Sequence, residues 1–321
     1  MPGVLCLNYN QDGSCFTYGS ENGFRVFSTN GFRELISRKM DGGLKIVEMI
    51  NRSNIFALVG GGRNPVYSPN KVIIWDDYST KIVRELTFQQ NVLNVKLSDQ
   101  RIYVVLRNSI WIYELENPKI IGKIATGDNP AGLIALSQDG TVIAYPSAFG
   151  EAAVQTVKEN HAETRKTSIK AHKGDLVCIS LSRDGKLLAT ASTRGTLIRL
   201  FDTNKGTQIN EFRRGMEPAQ IYGLFFDDNS TRLACSSNRG TVHVFSLSIG
   251  PTPQVSSVFS YFKNVIPGYL NSKWSFKQFY LPSCKNVCCF RGECLVVITY
   301  EGKYYRLNID DQREVGDFMD P

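Results

Sequence analysis

Seven short strand-like segments punctuate the 321-residue chain, most of them about 40 to 48 residues apart. That spacing constrains the fold more than any single residue does, because it is the length of a unit of four short strands. The segments are Gly23–Phe27, Lys71–Asp76, Ser109–Tyr113, Ala152–Val157, Thr196–Asp202, Thr241–Phe245 and Lys303–Leu307. Helical periodicity is nearly absent between them, and short β-rich runs are set off by Gly, Asn, Asp and Ser. Polar turns ahead of the second strand of a unit repeat as well: Asn10-Gln-Asp-Gly13, Ser98-Asp-Gln100, Ser137-Gln-Asp-Gly140, Ser182-Arg-Asp-Gly185 and Asp227-Asp-Asn-Ser230.

About seven such units fit the length, and seven sheets arranged in a ring leave little open edge. The expectation is an all-β fold: one domain over residues 1–321, a seven-bladed WD-repeat-like β-propeller of four-stranded antiparallel blades. Only Trp75-Asp76 keeps the signature dipeptide of such repeats. The strand around Gly3–Asn8 is expected to complete the last blade and close the ring. One interval breaks the period: the sixth unit carries about 20 residues too many. The excess, at about 250–272, opens with Gly250-Pro-Thr-Pro253 and continues through Val255–Leu270. Trp274-Ser-Phe-Lys-Gln-Phe279 then alternates like a returning strand, with Trp274 and Phe276 expected to pack in the sheet.

Composition narrows the function classes. The formal net charge is +7 and the pI near 8.9, which favours an anionic partner. No block of Lys or Arg concentrates that charge, so a polybasic tail is not expected. No signal peptide, membrane span or lipidation signal is read from the chain, so any membrane attachment is expected to be peripheral. Eight scattered cysteines read as free thiols of a reducing compartment. Cys284, Cys288, Cys289 and Cys294 cluster but lack the paired spacing of a zinc site, and neither metal nor cofactor is expected. Gly60-Gly-Gly-Arg63 lacks the Lys-Ser/Thr of a nucleotide loop and reads as a turn. No Ser-His-Asp set or paired carboxylates stand out, so the chain is not expected to be an enzyme. Nucleic acid is not an expected partner either, because the aromatics occupy strand positions.

The candidate site is Phe212-Arg-Arg-Gly215, two adjacent arginines at the end of a strand-like stretch. Successive strand side chains point to opposite faces, so Arg213 and Arg214 can serve two neighbouring pockets but not one. Guanidinium groups match phosphate geometry and stay charged at any cellular pH. Two solvated surface arginines would look the same in isolation. The surrounding sequence adds convergence: the units before and after both place Ser, Arg, Gly and Thr at a strand–turn–strand junction. Hydroxyls and backbone N–H groups there can surround an anion. Arg199 lies inside an apolar strand and would be costly to bury without an anionic partner. His243 sits in the matching strand of the next unit, where a satisfied core histidine is the ordinary occupant.

Phe212-Arg-Arg-Gly215, with Ala-Thr-Ala-Ser-x-x-Gly-Thr-x-Ile-Arg before it and Ser-Ser-x-x-Gly-Thr-Val-His after it, resembles the PROPPIN family, most of all its shorter WIPI-type members. These are seven-bladed propellers that bind phosphoinositides. The resemblance covers essentially the whole chain, including Asn10-Gln-Asp12, Ala57–Gly62, Ser68–Asp76 and Trp274–Phe276. It implies two headgroup sites, one using His172, Ser192, Thr196, Arg199 and Arg213, the other Arg214, Ser236 or Ser237, Thr241 and His243. Arg194 and Arg239 would be accessory. The implied ligands are phosphatidylinositol 3-phosphate and phosphatidylinositol 3,5-bisphosphate.

In the family the loop of the sixth blade dips into the bilayer. Here Phe259, Tyr261, Phe262, Val265, Ile266, Tyr269 and Leu270 are the residues for that contact. Autophagy proteins are the implied partners, notably a large lipid-transfer protein, with Asn10 and Asp12 as contributors or as plain turn residues. The expected setting is a cytoplasmic protein, monomeric in solution and peripheral on autophagic and endosomal or lysosomal membranes. The competing expectation is a protein-interaction scaffold propeller without lipid binding.

Overall fold

Each repeat of the sequence forms a four-stranded antiparallel sheet, and the turn chemistry explains where the strands stop. In a computed structural model of the chain, residues 3–157, 165–247, 272–282, 284–309 and 313–317 are described. The seven membrane-contact candidates from Phe259 to Leu270 lie outside them.

Blade 1 is β1 (Val4–Tyr9), β2 (Cys15–Ser20), β3 (Gly23–Ser28) and β4 (Arg33–Lys39). Blade 2 is β5 (Leu44–Met49), β6 (Ile55–Gly60), β7 (Lys71–Asp76) and β8 (Lys81–Thr87). Blade 3 is β9 (Asn94–Leu97), β10 (Arg101–Leu106), β11 (Ser109–Glu114) and β12 (Ile120–Ala125). Blade 4 is β13 (Ala135–Leu136), β14 (Val142–Ala148), β15 (Glu151–Thr156) and β16 (Lys166–Lys170). Blade 5 begins with β17 (Leu176–Leu181), β18 (Leu187–Ser192), β19 (Leu197–Asp202) and β20 (Gln208–Arg213). Blade 6 begins with β21 (Ile221–Phe226), β22 (Arg232–Ser237) and β23 (Thr241–Ser246).

The polar turns do the work expected of them. Ser182 Oγ donates to Asp184 at 2.7 Å and accepts the Leu187 amide at 2.9 Å, closing the first hairpin of blade 5. Ser137 repeats the arrangement in blade 4 with Asp139 and the Val142 amide. In blade 6 Asp227 takes the Thr231 and Arg232 amides at 2.7 and 2.9 Å. Such local bonds end a strand by satisfying backbone donors that the ladder leaves open. Asn10 and Asp12 belong to the same class: Asn10 Oδ1 accepts the Cys15 amide at 2.9 Å, and Asp12 takes the Ser14 amide at 2.9 Å.

The core lies between neighbouring blades. The face of blade 5 carrying Leu188 and Phe201 packs on Ala144, Val154 and Ile169 of blade 4. Its other face, carrying Ile198, Leu200 and Phe212, packs on Leu224, Leu233 and Phe245 of blade 6. Each fully buried side chain of this size contributes about 1.5–3 kcal/mol relative to exposure. On the ring axis the innermost strands leave a cavity of about 380 Å3, into which Glu48 and Lys96 bring a 2.9 Å ion pair.

Two features depart from expectation. The last blade does not borrow the N-terminal strand. It is built from β26 (Asn286–Arg291), β27 (Cys294–Thr299), β28 (Lys303–Asn308) and β29 (Arg313–Asp317), while β1 pairs with β2 in blade 1. The reason is that residues 313–317 already supply an outer strand to blade 7, and β1 is needed as the inner strand of its own hairpin. The ring closes through side chains instead: Leu7, Phe16 and Phe27 pack on Val296 and Ile298, and Tyr9 donates to the Val296 carbonyl at 3.0 Å.

The second departure concerns the returning stretch. Lys273–Trp274 forms β24, which runs parallel to β20 as a fifth strand of blade 5, with Phe212 opposite Lys273 and Arg213 opposite Trp274. Only afterwards does β25 (Lys277–Tyr280) complete blade 6 against β23, burying Phe279. Trp274 is thus in a sheet, though the neighbouring one. Phe276 falls between the two strands and is 46% exposed, contrary to expectation.

Candidate functional site

Strand register decides which face each arginine serves. In the β19–β20 ladder Arg199 lies opposite Glu211, Ile198 opposite Phe212 and Leu197 opposite Arg213. Phe212 is fully buried toward blade 6, its ring 5.1 Å from that of Phe245. Alternation therefore turns Glu211 and Arg213 to the other face, toward blade 4, beside Arg199.

Around Arg213 the chain assembles a polar cluster at the blade 4–blade 5 edge. His172 Nε2 lies 2.9 Å from Thr190 Oγ1, and Thr190 is the ladder partner of Arg199. One Arg199 nitrogen donates to the Ala171 carbonyl at 2.6 Å, and its Nε donates to Glu211 Oε2 at 3.0 Å. Burial, followed by the charge of Arg199, holds His172 down to about 4, so the ring is neutral at neutral pH. Burial pushes the Glu211 carboxyl up, but hydrogen bonds from Ser272 and Arg199 and the charges of Arg199 and Arg213 outweigh it, leaving the carboxyl below its usual range. Ser192 ends β18 two residues after Thr190, on the face that alternation gives both.

The second cluster sits at the blade 5–blade 6 edge. Arg214 follows β20 and is only 5% exposed. Its Nε donates to the Gly195 carbonyl at 2.9 Å, and a terminal nitrogen donates to the carbonyl of Glu217. Cys235 lies opposite His243 in the β22–β23 ladder, and this face packs on blade 5. Ser237 and Thr241 share it by alternation. His243 Nε2 lies 3.1 Å from Thr241 Oγ1, and its Nδ1 lies 3.1 Å from Ser275 Oγ. Burial and then the Arg214 charge hold His243 down to about 4.

The structure therefore brings His172, Ser192, Arg199 and Arg213 to one face, and Arg214, Ser237, Thr241 and His243 to another. Two candidates separate from the groups expected of them. Thr196 accepts the Arg214 amide at 3.0 Å through its carbonyl, which matches it in register to Arg214 rather than Arg213. Ser236 points away from blade 5 because it alternates with Ser237. Its ladder partner Val242 packs with Ala234 and Cys288 toward blade 7.

The two Ser-x-x-Gly-Thr junctions share a backbone device. Gly195 and Gly240 hold φ at +62° and +66°, in the left-handed region that favours glycine. At Gly195 a Cβ would meet the Ala219 carbonyl oxygen at 1.9 Å. Of the accessory arginines, Arg239 spans the next turn, donating to the Pro218 carbonyl at 2.8 Å and pairing with Glu217 at 3.2 Å.

Four polar residues of these clusters escape sequence reasoning: Thr190, Glu211, Ser272 and Ser275. Glu211 and Thr190 carry a faint signal, since each stands two residues from a chosen one on the same strand. The two serines carry none, because the returning stretch meets blade 5 through a nonlocal pairing. Ser272 Oγ donates to Glu211 Oε1 at 2.7 Å, and with Ser275 on His243 the short stretch 272–276 touches both clusters.

A family model described as PROPPIN matches residues 3–313. The chain belongs to the PROPPIN family. Relatives of this PROPPIN include autophagy-related protein 18e of Arabidopsis thaliana, 39% identical over 319 residues, covering 96% of this chain and 84% of the relative. SVP1-like protein 2 of Pichia angusta is 36% identical over 293 residues, covering 87% of this chain and 81% of the relative. Among solved structures, Kluyveromyces lactis Hsv2 with a complete loop 6CD matches with a TM-score of 0.79 at 22% identity, covering 99% and 98% of the two chains. A complex of KlAtg21 with the coiled-coil of AgAtg16 matches with a TM-score of 0.73 at 23% identity, covering 99% and 100%. At these identities the solved structures bear on the fold, and the PROPPIN propeller has the same architecture in each.

All eight cysteines of this PROPPIN are free, and burial pushes Cys6, Cys178 and Cys289 up to about 12. Among the described residues no group of three or more His, Cys, Asp or Glu is placed to hold a metal, and no helix is long and apolar enough to cross a membrane.

Proposed function

We propose that this PROPPIN is a non-enzymatic phosphoinositide effector. It binds phosphatidylinositol 3-phosphate and phosphatidylinositol 3,5-bisphosphate at two sites flanking Phe212–Gly215 and recruits autophagy proteins to the membranes that carry those lipids. The observation carrying this reading is the opposed placement of Arg213 and Arg214, each joined by a neutral histidine and by Ser or Thr hydroxyls on its own face. A guanidinium with neighbouring hydroxyl and imidazole donors is the chemistry of phosphate capture.

Two weak headgroup sites on one rigid ring raise apparent membrane affinity by roughly 10²–10⁴ through effective concentration. The 250–272 segment supplies a third contact through Phe259, Tyr261, Phe262, Val265, Ile266, Tyr269 and Leu270. On this reading the protein is cytoplasmic and sits peripherally on autophagic and endosomal or lysosomal membranes. Its partners are autophagy proteins, including a lipid-transfer protein; support for protein partners comes from the KlAtg21 complex with a coiled-coil.

A second reading keeps the propeller as a scaffold without lipid binding. The observation in its favour is the exposed apolar rim of blade 2, where Tyr78 is 90% and Val83 57% exposed. Liposome flotation separates the two. Binding should require the phosphorylated headgroup and be lost in R213T/R214T. A folded double variant that floats as well as wild type leaves the scaffold.

A further inference from the structure

His243 is only 5% exposed, and burial keeps its ring uncharged at neutral pH. A neutral imidazole has one hydrogen, so the nitrogen that holds it decides what the ring can offer an anion. Both nitrogens are engaged: Nε2 lies 3.1 Å from Thr241 Oγ1, and Nδ1 lies 3.1 Å from Ser275 Oγ. The Ser275 hydroxyl in turn accepts a hydrogen bond from the Gln278 amide nitrogen at 3.2 Å. Ser275 therefore has its own hydrogen left to donate, and Nδ1 is the acceptor beside it. In the opposite assignment, with Nδ1–H donating to Ser275, the serine would face two donors and no acceptor among these partners.

Backbone pairing holds the relay in place. Gln278 stands directly opposite His243 in the β23–β25 ladder, so the two side chains share one face. Ser275 is fixed from both sides: Trp274 pairs with Arg213 between β24 and β20, and the Phe276 amide donates to the Val244 carbonyl at 3.0 Å.

We propose that Gln278 and Ser275 are positioning residues of the Arg214 cluster: they fix His243 as the Nε2–H tautomer, so that the cluster meets a phosphate group with hydrogens and not with a lone pair. This deepens the phosphoinositide reading and rests on it. The Nε2 hydrogen goes to Thr241 Oγ1, which frees the Thr241 hydroxyl hydrogen for an incoming phosphate oxygen. In the other tautomer Thr241 gives that hydrogen to Nε2, and the pair has none left to donate. Neither Gln278 nor Ser275 touches the ligand in this role; both act through His243.

Imidazole 15N shifts of the ligand-free protein at neutral pH read the tautomer, and with three histidines in the chain H243Q assigns the resonances. Wild type should show Nε2 protonated and Nδ1 bare. Q278E puts an acceptor in place of a donor at an exposed position, so Ser275 turns to donate to the carboxylate and accepts from Nδ1–H. The tautomer should switch. Binding is followed by calorimetric titration on an R213T background, which isolates the Arg214 cluster. Affinity for inositol 1,3-bisphosphate should fall about tenfold in Q278E, the loss of one hydrogen bond to a charged group. S275A/Q278E keeps the added charge without the relay; it should not switch, and it should bind more tightly than Q278E.

A wild-type ring protonated at Nδ1, or a Q278E ring that keeps the wild-type tautomer, overturns the proposal. So does a switched Q278E that binds no more weakly than S275A/Q278E. Inorganic phosphate binding as tightly as the bisphosphate would overturn the lipid reading in favour of free phosphate, and weaker binding supports the headgroup. Wild-type protein that binds neither the bisphosphate nor vesicles carrying the phosphorylated lipids overturns the phosphoinositide reading and the recognition role with it. The tautomer, read without ligand, still tests the relay on its own.

Discussion

Arg213 and Arg214 are consecutive in the chain but belong to different blade interfaces. Arg213 lies across the ladder from Leu197 on the blade 4 side, and Arg214 reaches back to the Gly195 carbonyl at the blade 6 side. Each single variant should therefore remove one site and spare the other. For R213T and for R214T, titration with a soluble headgroup should fall from two sites to one. Vesicle affinity should drop by about 10²-fold as the effective-concentration gain disappears. Loss of both sites in either variant would contradict the division.

The two variants should differ in stability. Arg214 is buried and donates to two backbone carbonyls, so R214T orphans both acceptors and should cost about 1–3 kcal/mol. Arg213 is more exposed, and R213T should cost less. Chemical denaturation of both proteins without ligand measures the difference.

Acid should weaken the fold and strengthen binding. His172 and His243 are each held down to about 4 in the folded protein, below the 6.5 of a free histidine. Between those values the unfolded chain binds more protons than the folded one. The stability these residues contribute is complete above 6.5 and is lost as pH falls toward 4. Thermal melts should drop across that window, and H172Q and H243Q should each flatten the slope. A bound phosphate raises the histidine pKa, so the complex takes up protons that the free protein does not. Headgroup affinity should rise as pH falls from 7 toward 5.5, and proton uptake should be seen by titration in buffers of different ionisation enthalpy.

Gly195 admits no side chain, because its φ is +62° and a Cβ would collide with the Ala219 carbonyl. G195A should destabilise the protein by about 1–3 kcal/mol. It should also weaken the Arg214 site more than the Arg213 site, since Arg214 Nε bonds to the residue 195 carbonyl. Equal loss at both would indicate general unfolding.

The 250–272 segment is assigned to membrane contact from its sequence. Replacing Phe259, Tyr261 and Phe262 together with Ser should weaken retention on vesicles without changing the affinity for a soluble headgroup. Parallel loss of both would point to a folding defect.

The sequence carried the propeller well and the clusters unevenly. Seven repeats with turn chemistry at fixed places leave few other closed β folds. The alternation that separates Arg213 from Arg214 needs no coordinates. Thr196 and Ser236 show where such reasoning stops: their faces depend on how each strand meets its partner across a turn, which adjacent letters do not encode. Glu211 was hidden for a related reason. Its partnership with Arg199 is a ladder register between residues 12 apart in the chain, and its bond to Ser272 spans 61 residues. Ring closure failed as an expectation because a shared strand and a packed seam present the same short apolar runs.

That seam gives the molecule a weakest meridian. Blade 7 meets blade 1 through side chains and a few hydrogen bonds, whereas every pair of consecutive blades is also joined by the backbone that runs from one to the next. Blades 5 and 6 are stitched by one continuous stretch that pairs with both. Under load, as when a ring anchored to a lipid surface is pulled by its protein partners, the tear should start between blades 7 and 1. The half of the ring that holds the two arginine clusters would then be the last to come apart.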